Sequence, residues 1–278
     1  MTNDPNSDWH RTPYQILSDL GILEPTDIDI EAIAEDCGAT IRYQSLTGCA
    51  ARIMGYKDRA IITVDSGNPR PRQRFSAGHE LGHWMKDRGQ VSFQCSEKNL
   101  IKEWSDDNPE KRANRFSADI LLPPTIFRKY CHKLPPLFES VEQLATLFTT
   151  SLTATAIRLI EYGDFPSMLI CSCRNRREWF VASGGINGKL WPNNNPGSGS
   201  IAYELVQHGL KTLPSRGVGA DEWVSHPSSS RYWLHEDSRL FSDGLVLTLL
   251  WWRDESQIID IDEVNELRAS RRTDWRDE

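Results

Sequence analysis

Residues 75–85 read FSAGHELGHWM, and the reading of this stretch decides the fold. His79 and His83 lie four apart, with Glu80 between them. On a helix, an i, i+4 pair projects from one face, one turn apart. That spacing offers a metal ion two imidazoles, and it leaves the glutamate beside the ion without making it a ligand. Phe75 falls on the same face. Gly78 and Gly82 are also four apart, and each costs a helix about 1 kcal/mol relative to alanine. Two such residues in one helix signal that another segment approaches its backbone closely. Pro69 and Pro71 open the helix and Gly89 is expected to end it.

Zinc in a catalytic site takes three protein ligands and keeps a fourth position for water. The third must come from elsewhere. The next predicted helix has Asn108 as its cap, Pro109 at its first position and Pro123 marking its end. Glu110 lies 110 − 83 = 27 residues after the second histidine. Asn114 follows at i+4 on the same face, and Ala113 and Ser117 keep that face small. Glu110 is therefore the leading candidate ligand, with Asn114 as a polar partner behind the ligands. Glu103, Asp106, Asp107 and Asp119 compete for the role, although Asp119 is rotated off the Glu110–Asn114 face.

These residues resemble a family. "RFSAGHELGHW" followed by "EKRANRFSADILLP" is similar to the ImmA/IrrE metallopeptidases, cytoplasmic zinc proteases of bacteria and phage-associated elements. The resemblance runs from about Tyr14 to Gly163 and includes "DIEAIAEDCGATIRYQSL" and "RAIITVDS". It implies a zincin-like domain, Zn2+ held by His79, His83 and Glu110, and Glu80 as catalytic base. It also implies a protein substrate, a helix-turn-helix repressor cut at one site to switch on stress-response or mobile-element genes. Ser117 stands where the family usually has alanine, and Pro124 follows Pro123. Asn114 stands in place of aspartate, so it can orient a ligand without adding charge. Some members carry a GAF-like sensor domain after the peptidase, and the C-terminal part here is a counterpart by position.

Composition fits this reading. The chain has 278 residues, a 38% hydrophobic share and a formal net charge of −7. Such a balance supplies no basic face for nucleic acid. No apolar run reaches the length of a membrane span, and "MTNDPNSDWHRTP" lacks the basic start and apolar run of a secretory signal. Cytoplasmic residence and no membrane partner are expected, with the six cysteines as free thiols. Cys95 is a candidate inhibitory ligand, although a buried structural thiol is the favoured reading.

Along the chain, "YQILSDLG" and "DIDIEAIAEDCG" read as short helices, and "ATIRYQSL" and "RAIITVDS" as strands. "AARIMGYKDRAIITV" reads as a hairpin turning near Tyr56–Asp58. "SVEQLATLFTTSLTATAIRLIEYG" reads as two helices around Thr149–Ser151, in helix-turn-helix outline. Its second helix offers base edges only Arg158, so packing or partner docking is favoured over DNA reading. After Pro166, "SMLICSCRNRREWFVASGG" and "LVLTLLWWRDESQIID" are strand-like, with a helix at "IAYELVQHG". Trp179, Trp191, Trp223, Trp233, Trp251 and Trp252 are expected mainly in the core. His208, His226 and His235 are too far apart to make a helical ligand pair.

The expected architecture is α+β: a zincin-like metallopeptidase domain at 12–124, a helix-turn-helix-like segment at 125–164, and a C-terminal α/β GAF-like sensor domain at 165–278. The alternative is a non-proteolytic, zinc-containing regulatory protein acting through its helical segment or C-terminal domain. Glu80 argues against it, because a structural zinc site needs the histidines but not that glutamate. "RAIITVDS" is the expected edge strand for holding an extended substrate. Tyr56, Tyr130 and His132 are candidate oxyanion donors between which the sequence does not choose.

Overall fold

The computed structural model describes residues 10–87, 108–186, 190–226, 229–241, 244–254 and 256–258. The fold is mixed α+β. The chain divides into two compact units, Met1–Tyr130 with Leu144–Thr155, and Cys131–Gln143 with Ala156–Glu278.

The first unit begins with α1 (Pro13–Asp19), whose N-terminus is closed by a capping box between Thr12 and Gln15. Asp29 caps α2 (Ile30–Asp36) by accepting from the amides of Glu31 and Ala32. Three strands follow: β1 (Ala39–Gln44), β2 (Ala51–Tyr56) and β3 (Arg59–Asp65). β2 and β3 form the expected hairpin, with Lys57 at φ 54° in its turn. The sheet order is β1-β3-β2, with β1 parallel and β2 antiparallel to β3. The expected edge strand is therefore the central one. Both sides of the β3 backbone are used by ladder bonds, and the edges belong to β1 and β2. Ala60, Ile62 and Val64 alternate along β3 and are buried.

Against this sheet lies α3 (Arg70–Lys86), which carries the two histidines, and against α3 lies α4 (Pro109–Leu121). α3 ends at Lys86, with Asp87 as its C-cap; Gly89 lies outside the described residues. α5 (Pro124–Cys131) follows at once. Pro123 closes α4, and Pro124 supplies the first turn of the new helix. α6 (Phe138–Phe148) and α7 (Leu152–Tyr162) are the expected helix pair. Arg158 is buried, paired with Glu161 at 2.9 Å and laid over the Tyr162 ring. It is not displayed for base edges.

One polar cluster ties α2, β1 and the start of α3 together. Arg70 donates to Glu31 and to the Tyr43 hydroxyl, each at 2.8 Å, and that hydroxyl donates to Glu31. Partial burial alone raises the Glu31 pKa, but the two donors outweigh it and hold the carboxyl down, from 4.5 to about 2. A depressed carboxyl contributes stability above its unfolded pKa and loses it as pH falls through its folded one. Glu31→Gln is therefore expected to flatten the acid limb of melting temperature against pH between about 4.5 and 2. Parallel profiles for variant and parent would remove this network from the account of acid stability.

The second unit holds a five-stranded sheet in the order β5-β4-β8-β7-β6. Its strands are β4 (Ser167–Cys173), β5 (Arg176–Ala182), β6 (Arg216–Gly219), β7 (Trp233–Leu240) and β8 (Leu245–Trp251). Every pairing is antiparallel. Met168, Ile170, Val246, Leu250, Trp223 and Trp252 form its core, whereas Trp191 and Trp233 are exposed. The helix α8 (Ile201–His208) packs on β7. Its N-terminus is closed from below by Glu236 on β7. That buried carboxylate accepts from the amides of Ile201 and Ala202, from the Trp223 indole and from Ser238. Burial pushes its pKa up and the four donors oppose that shift. No disulfide joins any two of the five described cysteines.

Candidate metal centre

α3 presents His79, Glu80 and His83, all buried. α4 presents Glu110 in its first turn, where the Asn108 side chain accepts from the Glu110 amide at 2.9 Å. The cap thus fixes the rotation at which the third group meets the first two. His79 Nε2 and His83 Nε2 are 3.2 Å apart. Glu110 Oε2 is 3.3 Å from the first, and Glu110 Oε1 is 3.4 Å from the second. Tetrahedral zinc with bonds near 2.05 Å separates its ligand atoms by about 3.3 Å. The three groups have the chemistry and the mutual spacing of such a set, and they form the one potential ion-holding cluster among the described residues.

The glycines explain how α4 comes so close. A Cβ on Gly78 would lie 2.6 Å from Ser117 Oγ, and one on Gly82 would lie 2.9 Å from Ala113 Cα. Ser117 also donates to the Phe75 carbonyl at 2.9 Å. The small-residue face expected around Ala113 and Ser117 is the seam itself.

Behind the trio, Asn114 Oδ1 is 2.8 Å from His79 Nδ1. Asp87 Oδ2 is 3.0 Å from His83 Nδ1. Asp87 is the site residue that sequence reasoning missed. Its signal was its position four residues after His83, the same helical spacing as that of the histidines. Burial opposes charge on His79, but the Glu110 hydrogen bond and the charges of Glu80 and Glu110 outweigh it and raise the pKa. On His83 burial prevails and lowers it, despite Asp87.

The structure thus brings His79, His83, Glu110 and Asn114 together, with Glu80 between the histidines on α3. Asp119 is paired with Arg115 at 3.2 Å and lines a groove bounded by residues of α1, α4 and α5. That groove has a volume of about 1180 Å³ and is also lined by Tyr14, Leu17, Arg112 and Ile126. Glu103, Asp106, Asp107 and Cys95 lie outside the described residues. Of the oxyanion candidates, the Tyr130 hydroxyl donates to Glu24 and His132 pairs with Asp164 at 2.8 Å. Tyr56 is exposed on β2.

Residues 34–159 match the IrrE N-terminal-like domain of peptidase family M78. This segment belongs to the ImmA/IrrE family. The ImmA/IrrE match spans α3 and α4, and so every residue of the cluster. A solved Mycobacterium tuberculosis transcriptional regulator is similar in fold, with a TM-score of 0.54 and 13% identity, over 88% of this chain and 76% of that one. No curated protein matches the chain in sequence.

Proposed function

We propose that the chain is a zinc-dependent, site-specific endopeptidase that cleaves a helix-turn-helix transcriptional repressor in the cytoplasm. The observation that carries the reading is the convergence of His79, His83 and Glu110 at the spacing of zinc ligands, with Glu80 buried next to them on α3. The ImmA/IrrE match supports a metallopeptidase, and the likeness to a transcriptional regulator supports a regulatory setting. No described helix is long and apolar enough to cross a membrane.

When bound, zinc supplies the Lewis acidity that makes water acidic near neutral pH and polarises a carbonyl. The chain's residues do the rest. His79, His83 and Glu110 hold the ion, and Asn114 orients the His79 ring. Glu80 takes the proton of the attacking water and passes it to the leaving amine. β2 has a ladder partner on one side only among the described residues. Its free edge, with Met54 and Tyr56 exposed, replaces β3 as the strand to which an extended substrate adds. We assign the zincin-like part to 12–124, the helix-turn-helix-like part to 125–164 and a GAF-like sensor to 165–278.

The experiment is metal analysis of the purified chain beside Glu110→Ala and His79→Ala. One zinc per chain in the parent and near-complete loss in both variants is expected. If Glu110→Ala keeps its zinc while Asp106 or Asp107 variants lose it, the third ligand is misassigned. A parent that binds no zinc overturns the enzyme reading.

A further inference from the structure

The two histidines are braced from behind by different chemistry. His79 meets a neutral amide. His83 meets a carboxylate that is only 5% exposed and is itself held. Asp87 Oδ1 accepts from Arg112 Nη2 at 2.8 Å, while its Oδ2 faces His83 Nδ1 at 3.0 Å.

We propose that Asp87 and Arg112 are positioning residues of the metal centre. Asp87 sets the tautomer and ring angle of His83, and Arg112 holds Asp87 in place. This inference rests on the metal-centre reading above.

An ionised carboxylate only accepts, so the contact with Asp87 requires the proton on Nδ1. The lone pair is then on Nε2, the atom that faces His79 Nε2 and Glu110 Oε1. With the proton on Nε2 instead, the ring would turn an N–H towards the ion and could not ligate it. A buried carboxylate also needs compensation for its lost hydration, and the guanidinium of Arg112 supplies it.

The placement of Arg112 adds a second role. Asp87 is the C-cap of α3, which carries two ligands. Arg112 is two residues after Glu110 in α4, which carries the third. The Asp87–Arg112 pair thus bridges the same two helices as the ligands and fixes their relative rotation. The Arg112 side chain is 36% exposed and lines the groove bounded by α1, α4 and α5, so truncating it leaves the core of the helix pair untouched.

The test uses the full chain and zinc alone. Zinc affinity is measured by competition with a chromophoric chelator, and circular dichroism of the metal-free proteins checks the fold. Asp87→Ala is expected to weaken zinc binding by about 10- to 100-fold. Arg112→Ala should weaken it less, and Arg112→Lys should recover part of that loss, because an ammonium can still pair with the carboxylate. In the zinc-loaded parent, the His83 Nδ1–H should give a hydrogen-bonded, slowly exchanging proton–nitrogen signal, which Asp87→Ala removes. A folded Asp87→Ala, or Arg112→Ala, that binds zinc as tightly as the parent overturns the proposal. So does an unchanged Nδ1–H signal. A parent that binds no zinc overturns the metal-centre reading instead, so the two failures are distinguishable.

Discussion

Glu80→Gln is expected to keep its zinc and its fold while peptide cleavage falls by about two to four orders of magnitude, the usual contribution of a positioned general base. Glutamine has nearly the same shape as glutamate, so the packing of a residue only 1% exposed is preserved. What it lacks is a basic oxygen. The proton of the attacking water then has no acceptor at the site, and the leaving amine has no donor. Glu80 is not among the three groups that converge as potential metal ligands, so metal content should not follow activity. The check is to incubate parent and variant with the cognate repressor and look for a discrete fragment. Equal cleavage by both would remove Glu80 from its role. Joint loss of zinc and cleavage would make it a ligand or a structural residue.

The second large effect lies in the seam between α3 and α4. On propensity alone, Gly82→Ala should stabilise α3 by about 1 kcal/mol. The new Cβ would lie 2.9 Å from Ala113 Cα and 3.1 Å from the Ala113 carbonyl. Both are backbone atoms, so relief requires moving α4 rather than turning a side chain. Overpacking of this kind costs about 1–3 kcal/mol, which exceeds the propensity gain. Gly82→Ala should therefore be destabilised, and Gly82→Val more so. Displacing α4 also carries Glu110 away from the histidines, so zinc affinity should fall in parallel. Gly78→Ala differs in kind, because its closest contact is the Ser117 hydroxyl at 2.6 Å. Adding Ser117→Ala should relieve part of that strain. Denaturant unfolding and zinc titration on the same samples decide it. A Gly82→Ala protein more stable than the parent, with unchanged affinity, would show that the seam has slack.

The features legible from sequence were those with local causes. The histidine pair, the glycine pair, Asn108 as cap and Glu110 in the first turn all depend on spacing within one helix. The caps Asp29 and Asn108 and the hairpin at Lys57 likewise carry their reasons within a few residues. What failed depended on partners distant in the chain. The strand order β1-β3-β2 arises from a parallel pairing across the hairpin, so a strand that reads as an edge in the sequence is the centre of the sheet. Its buried Ala60, Ile62 and Val64, beside the more polar β2, were a clue to that order. Asp87 gives little local signal, because its partner Arg112 lies on another helix. β7 is hard to read from sequence because Glu236, Asp237 and Arg239 break the apolar pattern, yet Glu236 closes the end of α8.

The α3–α4 seam bears on how an ion enters. The distance between these helices is set by backbone against backbone at Gly82 and Ala113, not by long side chains that could adopt other rotamers. The turns that carry His79, His83 and Glu110 are thus held at their separation by packing within the chain itself. An arriving ion has little chain to order, and the conformational entropy of assembling the site is met during folding. Capture is then governed by shedding water and gaining access. Losing the ion should leave a vacant but shaped site, ready to refill, rather than a loosened helix pair.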